Sequence, residues 1–123
     1  MKGKNSAIAE IVVAKEPGAS NVMTISGDAD IACCEEICLE FKSNYGLGER
    51  WIFDLRAVTF LDSEAIKAIL GAIHEVRLNG GNAAMVSIKG SISWRMLNLL
   101  GVNKVVHVTE NLEEAQDLLN DSS

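Results

Sequence analysis

A hydroxyl lies between two carboxylates at Asp62-Ser63-Glu64, where an apolar strand-like run ending in Thr59-Phe60-Leu61 gives way at once to a helical pattern. The simplest chemistry for these groups is N-capping. Asp62 or Ser63 accepts from the first free amides of the helix, and Glu64 complements its dipole. Capping does not explain why so much hydroxyl and carboxylate sits at the carboxyl end of a buried strand, the edge at which open α/β sheets build sites. Nucleophilic catalysis is the stronger alternative, and it fails on spacing. No G-x-S-x-G elbow surrounds Ser63. His74 is eleven residues further on, about 16 Å along a single helix axis and out of reach. The sequence is not expected to be an enzyme.

The cysteines offer a second cluster. Cys33, Cys34 and Cys38 fall within six residues, a spacing that invites a metal or redox reading. There is no CxxC among them, and His74 and His107 are distant in sequence. Cys34 and Cys38 fall on the apolar stripe of a helix, where free cysteine behaves as a small hydrophobe. Packing is the expected role. Gly80-Gly81 follows a helix rather than opening one, so it is not a phosphate loop. No cofactor and no metal are expected.

The elements that must position Asp62-Ser63-Glu64 are legible from periodicity. Ile8 to Val13 and the alternating Val22 to Ser26 read as an antiparallel strand pair, with Pro17-Gly18 as the turn between them. Asp28 and Asp30 offer caps for a first helix striped by Ile31, Cys34, Cys38, Phe41 and Tyr45, with Glu35, Glu36 and Glu40 mostly off that stripe. Trp51 to Leu55 reads as a buried central strand with Asp54 inside it. Ile66, Ile69, Leu70, Ile73 and Val76 make the clearest helical stripe, stopped by Asn79-Gly80-Gly81. A strand over Ala83 to Ile88, a helix over Ser91 to Leu100, a strand over Val105 to Val108 and a helix over Asn111 to Leu119 complete the chain. The order β-β-α-β-α-β-α-β-α implies an α/β fold with right-handed crossovers and a mostly parallel mixed sheet of about five strands with about four helices.

The totals narrow the function. At 123 residues the chain is expected to be one domain. It is 48% hydrophobic and 23% charged, ordinary for a globular fold that needs neither disulfide nor metal to stand. The net charge of −6 with scattered basic residues argues against nucleic acid. MKGKNSAIAEI has no long apolar core, so it does not read as a signal peptide. No apolar run approaches the roughly 20 residues of a membrane span. A cytoplasmic chain without membrane insertion, with free thiols, is the expectation.

Three stretches together resemble a known family. WIFDLRAVTFLDSEAIKAIL looks like the signature of STAS domains, the sulfate-transporter and anti-sigma-factor-antagonist family: an apolar strand with D-L, a gap, an apolar pair, D-S or D-T, and a helix. ISGDADIACCEEI resembles the family's strand, glycine, acidic residue, x, Asp and helix. MLNLLGVNKVVHVTENLEEAQDLL resembles its closing helix, glycine, strand and terminal helix. The resemblance makes residues 1–123 one STAS domain with a core at about 8–119.

The resemblance implies a function. In bacterial anti-sigma factor antagonists the serine after that aspartate, here Ser63, is phosphorylated by the partner, an anti-sigma factor with serine kinase activity. The unphosphorylated form binds that partner and frees the sigma factor, and a PP2C-type phosphatase resets the switch. Asp30 matches the family's aspartate after the second strand and is expected beside Ser63. Glu64, Lys67, Gly71 and His74 recur at three- and four-residue steps opposite the Ile66-Ile69-Ile73 stripe, so they share an exposed face expected to bind the partner together with Asp30, Asp62 and Ser63. The common family pattern is D-S-S-G or D-S-x-G, whereas Glu64 and Ala65 follow Ser63 here. The alternative is a STAS subunit or scaffold that is not phosphorylated, as in an ABC lipid-transport complex or a stressosome-like assembly.

Overall fold

A computed structural model describes residues 9–15 and 19–121. Ile8 and the Pro17-Gly18 turn lie outside the described residues. Five strands form one sheet: β1 (Glu10–Ala14), β2 (Asn21–Ala29), β3 (Arg50–Leu61), β4 (Asn82–Val86) and β5 (His107–Thr109), in the order β1-β2-β3-β4-β5. β1 runs antiparallel to β2, and every later neighbour is parallel. The connections are α1 (Cys34–Asn44), α2 (Ser63–Leu78) and α3 (Ile92–Leu99), and α4 (Leu112–Asp121) closes the chain. The order and the mixed, mostly parallel sheet are those that periodicity predicts.

Both faces of the sheet are covered, which is why β3 reads as an almost continuous apolar run. Trp51, Phe53 and Leu55 point into the larger core with Ile37 and Phe41 of α1, Ile66, Ile69 and Ile73 of α2, and Leu97 of α3. Trp51 lies between Phe41 and Phe53, with ring centroids 4.9 and 5.9 Å away. The intervening Ile52 joins Ala84 and Val86 in a smaller cluster under Ala115 and Leu119 of α4.

The strands do not end level. β3 pairs with β4 only as far as Asp54↔Val86 but stays paired with β2 as far as Ala29↔Leu61. A two-stranded ribbon therefore runs on past the end of β4, about 20 Å at a strand's rise per residue. Its register shifts at two places, and Gly27 at the second has φ of 82°, a bulge conformation that glycine enters without a Cβ clash. The ribbon is anchored at its tip, because Ala29 and Leu61 are fully buried.

Several element boundaries differ from the sequence expectation. β2 passes through Gly27 instead of closing there, and β3 extends to Leu61. β4 stops at Val86, leaving Ile88 exposed. β5 begins at His107 because Val102–Lys104 form a 3-10 turn that buries Val102 and Val106 and leaves Val105 exposed. Of the expected α1 stripe, Phe41 is buried and Cys34 and Tyr45 pack against the core, while Ile31 and Cys38 are exposed and the buried side is completed by Cys33 and Ile37. Ile31 stands in the 3-10 turn over Ile31–Cys33 rather than in the helix, and three residues per turn there break its spacing to the helical stripe.

Candidate functional site

The ribbon tip carries the site. Because Ala29 and Leu61 are ladder partners, the residues after them, Asp30 and Asp62, emerge together, and the Asp62 amide donates to the Ala29 carbonyl at 2.8 Å. Asp30 caps the short turn into α1: its Oδ1 accepts from the Ala32 amide at 3.0 Å. Asp62, not Ser63, is the cap of α2, with extended backbone and its Oδ1 accepting from the Glu64 amide at 2.7 Å. Asp28 does not cap; its Oδ1 accepts from the Thr59 hydroxyl at 2.7 Å and ties the two strands of the ribbon together.

Ser63 is thus the first residue of α2. It is half-buried, and its hydroxyl bonds to no described residue. A group at this position faces the positive end of the helix dipole. Its surroundings are nonetheless negative. The Cys34 thiol is held above its ordinary pKa first by burial, then by Glu64 and Asp62, with Cys38 and Asp30 contributing. Cys34 thus reports that the three carboxylates converge on one corner. Cys33 is pushed up to about 11, mainly by burial. Both thiols stay protonated at neutral pH and are poor nucleophiles. Among the described residues no cluster of His, Cys, Asp and Glu is arranged to hold a metal ion.

The structure brings the remaining predicted residues onto one face. Glu64, Lys67, Gly71 and His74 are all exposed along α2, opposite buried Ile66, Ile69 and Ile73. Lys67 Nζ lies 3.1 Å from Glu64 Oε2, with the two side chains 71% and 46% exposed, a surface pair worth little by itself. A Cβ built on Gly71 meets nothing within 4 Å, so the surface there is open.

Two features were not anticipated from the sequence. Asp54 is buried and held by Arg56 in a two-pronged ion pair, Nε to Oδ1 at 3.0 Å and Nη2 to Oδ2 at 2.9 Å. The Arg56 amide also donates to Asp54 Oδ1 at 3.1 Å. This pair sits where β4 ends and the ribbon begins, and it raises the Arg56 pKa. An Asp followed two residues later by Arg inside an apolar run was the available signal. The second is a groove of about 380 Å³ between α1 and α2, whose walls include Phe41, Tyr45, Ala68, Gly71 and Ala72. Its α1 wall includes Cys38, Phe41 and Tyr45 of the expected stripe; the groove itself depends on how α1 packs against α2, which no local pattern encodes.

The STAS domain family model matches residues 10–115, and the chain belongs to that family. Among solved structures, an anti-sigma factor antagonist from Mycobacterium paratuberculosis superposes with a TM-score of 0.81 at 19% identity, covering 94% of this chain and 97% of that one. A sulfate transporter family protein from Wolinella succinogenes gives 0.70 at 13% identity, covering 87% and 88%. The Bacillus cell fate determinant SpoIIAA in its phosphorylated form gives 0.63 at 19% identity, covering 88% and 97%. At these identities the likeness is one of fold. Among the described residues no helix is long and apolar enough to cross a membrane.

Proposed function

We propose that the protein is an anti-sigma factor antagonist, a non-enzymatic switch that binds an anti-sigma factor with serine kinase activity and is released when Ser63 is phosphorylated. The observation that carries this reading is the Ser63 hydroxyl: without a partner among the described residues, at the first position of α2, and next to Asp62, which the Ala29↔Leu61 pairing brings out beside Asp30. In the transfer the Ser63 oxygen attacks the γ-phosphorus of kinase-bound ATP, ADP leaves, and the hydroxyl proton passes to a base of the kinase. A phosphate there carries about −1.5 to −2 charges at pH 7. Its own helix accepts that charge at the dipole's positive end, so the fold has little reason to move. The partner meets a corner that is bulkier, more strongly hydrated and more negative. The switch operates in the interface. A PP2C-type phosphatase restores the hydroxyl, and Lys67, Gly71 and His74 extend the contact along α2.

Incubation with the cognate kinase and ATP, followed by phosphosite mapping by mass spectrometry, tests the assignment. Stoichiometric phosphate on Ser63, lost in Ser63→Ala, is the expected result. Phosphate on the variant at another residue would remove Ser63 from the role. A second reading, an unphosphorylated STAS subunit or scaffold, draws support from Glu64, whose carboxylate already stands beside the acceptor. Absence of phosphotransfer together with stable co-purification in a complex would favour it.

A further inference from the structure

The groove between α1 and α2 lies outside the phosphorylated corner, although it shares the Lys67–Gly71 face with it. We propose that this groove binds a small single-chain amphiphile with a carboxylate head. Its volume of about 380 Å³ falls in the range of small-ligand pockets, which are mainly apolar with a few placed charges. The groove follows that pattern. Phe41, Ala68 and Ala72 supply apolar wall, and Gly71 leaves the middle open, since a Cβ there would touch nothing within 4 Å. Lys67 and Glu75 line its two ends. They are eight residues apart on α2, about 12 Å along its axis, the reach of a medium-length alkyl chain.

The charges orient the ligand. Lys42 lines the groove from α1 and has no partner among the described residues. Among the described residues Lys67 is engaged only by the exposed pair with Glu64, which an incoming carboxylate can replace at little cost. Glu75 repels a carboxylate from the opposite end. The head therefore sits at the two lysines, away from the Glu75 carboxylate, and the chain lies along Phe41, Ala68 and Ala72. A neutral chain would fill the same walls without using either ammonium group.

The position of Lys67 also couples the groove to Ser63. The two are four residues apart on α2, the spacing at which helical side chains pair. A phosphate on Ser63 draws the Lys67 ammonium away from the groove and adds like charge near the ligand's head, so the phosphorylated form binds the amphiphile more weakly. This clause rests on the proposed phosphorylation; binding to the unmodified chain does not.

Sodium octanoate titrated into the isotope-labelled full chain, with octanol as the neutral control, tests both parts by NMR. Expected are chemical-shift changes confined to residues 38–45 and 67–75, with octanoate at least tenfold tighter than octanol. The double variant Lys42→Gln/Lys67→Gln should bring octanoate down to the octanol level and leave octanol unchanged. Gly71→Leu should fill the groove and abolish both, with a thermal melt recorded beside it. Scattered or absent shifts, equal affinity for the two probes, or octanoate binding that survives loss of both lysines overturns the site. If the unmodified chain binds octanoate as expected but Ser63→Asp binds it equally well, the coupling is overturned and the site stands.

Discussion

β3 is one strand with two characters. From Trp51 to Asp54 it has a neighbour on each side and helices over both faces, and Trp51, Ile52, Phe53 and the adjoining Leu55 have no exposed surface. Over residues 56–61 its only ladder partner is β2, and much of its surface is open, with Phe60 46% exposed. The inner half holds the molecule together. The outer half contributes little to the core beyond Leu61 and partly buried Val58, yet it delivers Asp62 and Ser63 to the helix start. A two-stranded ribbon is marginal by itself. This one stays in place because its tip is pinned under α2 and its base is locked by the Asp54–Arg56 pair. Stability and recognition are thereby assigned to separate lengths of one strand.

If that division is real, the largest loss of stability should come from the inner half. Phe53 is fully buried between Trp51 and the helices. Phe53→Ala should cost about 3–5 kcal/mol, the lost transfer energy plus the cavity left behind, read as a lower midpoint in chemical denaturation. A cost below about 1 kcal/mol would mean that the core collapses around the hole, and the inner half would lose its special status.

The next effect falls on binding alone. Gly71→Arg places a long cation on the open face of α2, where no side chain opposes it within the protein. Replacing a helical glycine should not lower stability. Affinity for the anti-sigma factor should fall at least a hundredfold, about 2.7 kcal/mol. Calorimetric titration at unchanged affinity would move the interface off α2. The junction between the halves comes third. Arg56→Ala removes both side-chain hydrogen bonds to one buried carboxylate, keeps the backbone amide bond, and leaves Asp54 without its ion-pair partner. A loss of about 2 kcal/mol is expected, with hydrogen exchange rising first at residues 56–61. Uniform exchange across β3 would show that the pair does not lock the ribbon.

The two halves also differed in how far the sequence disclosed them. The inner half is read from its apolar run, and α2 from Ile66, Ile69, Ile73 and Val76, because apolar residues at helical spacing over nearly three turns dominate any local exception. The outer half is read as strand-like up to Leu61, but only Trp51 to Leu55 reads as buried, since Arg56 and Thr59 interrupt the apolar pattern; their polar groups are met by Asp54 and Asp28, which single-sequence periodicity does not see. α1 was placed correctly and its stripe only in part: Phe41, Cys34 and Tyr45 face the core, whereas Ile31 falls in a 3-10 turn and Ile37, not Cys38, is buried. The candidate site was legible as residues. Asp62, Ser63 and Glu64 stand together in the sequence, and Lys67, Gly71 and His74 follow at helical spacing. The meeting of Asp30 with them depends on the Ala29↔Leu61 register, a long-range pairing that no local pattern encodes.

Ser63→Asp probes the corner with a smaller charge than phosphate. Towards its helix the new carboxylate gains about 0.3–1 kcal/mol from the dipole, offset in part by Asp62 and Glu64 beside it, so the melting temperature should stay within a few degrees of wild type. Towards the partner it adds to a patch already negative, and roughly a tenfold loss of affinity is expected, about 1.4 kcal/mol. Wild-type affinity in Ser63→Asp would show that charge at this position does not control the interface. A collapsed melt would show instead that the effect runs through the fold.

The smallest effect should be that of Ser63→Ala, and its smallness separates the two roles of the outer half most cleanly. Had Ser63 capped α2, losing its hydroxyl would cost about 1 kcal/mol. The cap is Asp62, whose Oδ1 holds the Glu64 amide, and the Ser63 hydroxyl bonds to no described residue. Alanine is also the better helix former, by a few tenths of a kcal/mol. The net change in stability should therefore stay within about 0.5 kcal/mol, roughly 2 °C in melting temperature for a chain of this size. Partner binding by the variant should match the unphosphorylated wild type and persist after incubation with kinase and ATP, when wild-type binding is lost. A drop in melting temperature beyond about 5 °C would return Ser63 to a structural role, and binding that still disappears with kinase and ATP would place the controlling phosphate on another residue.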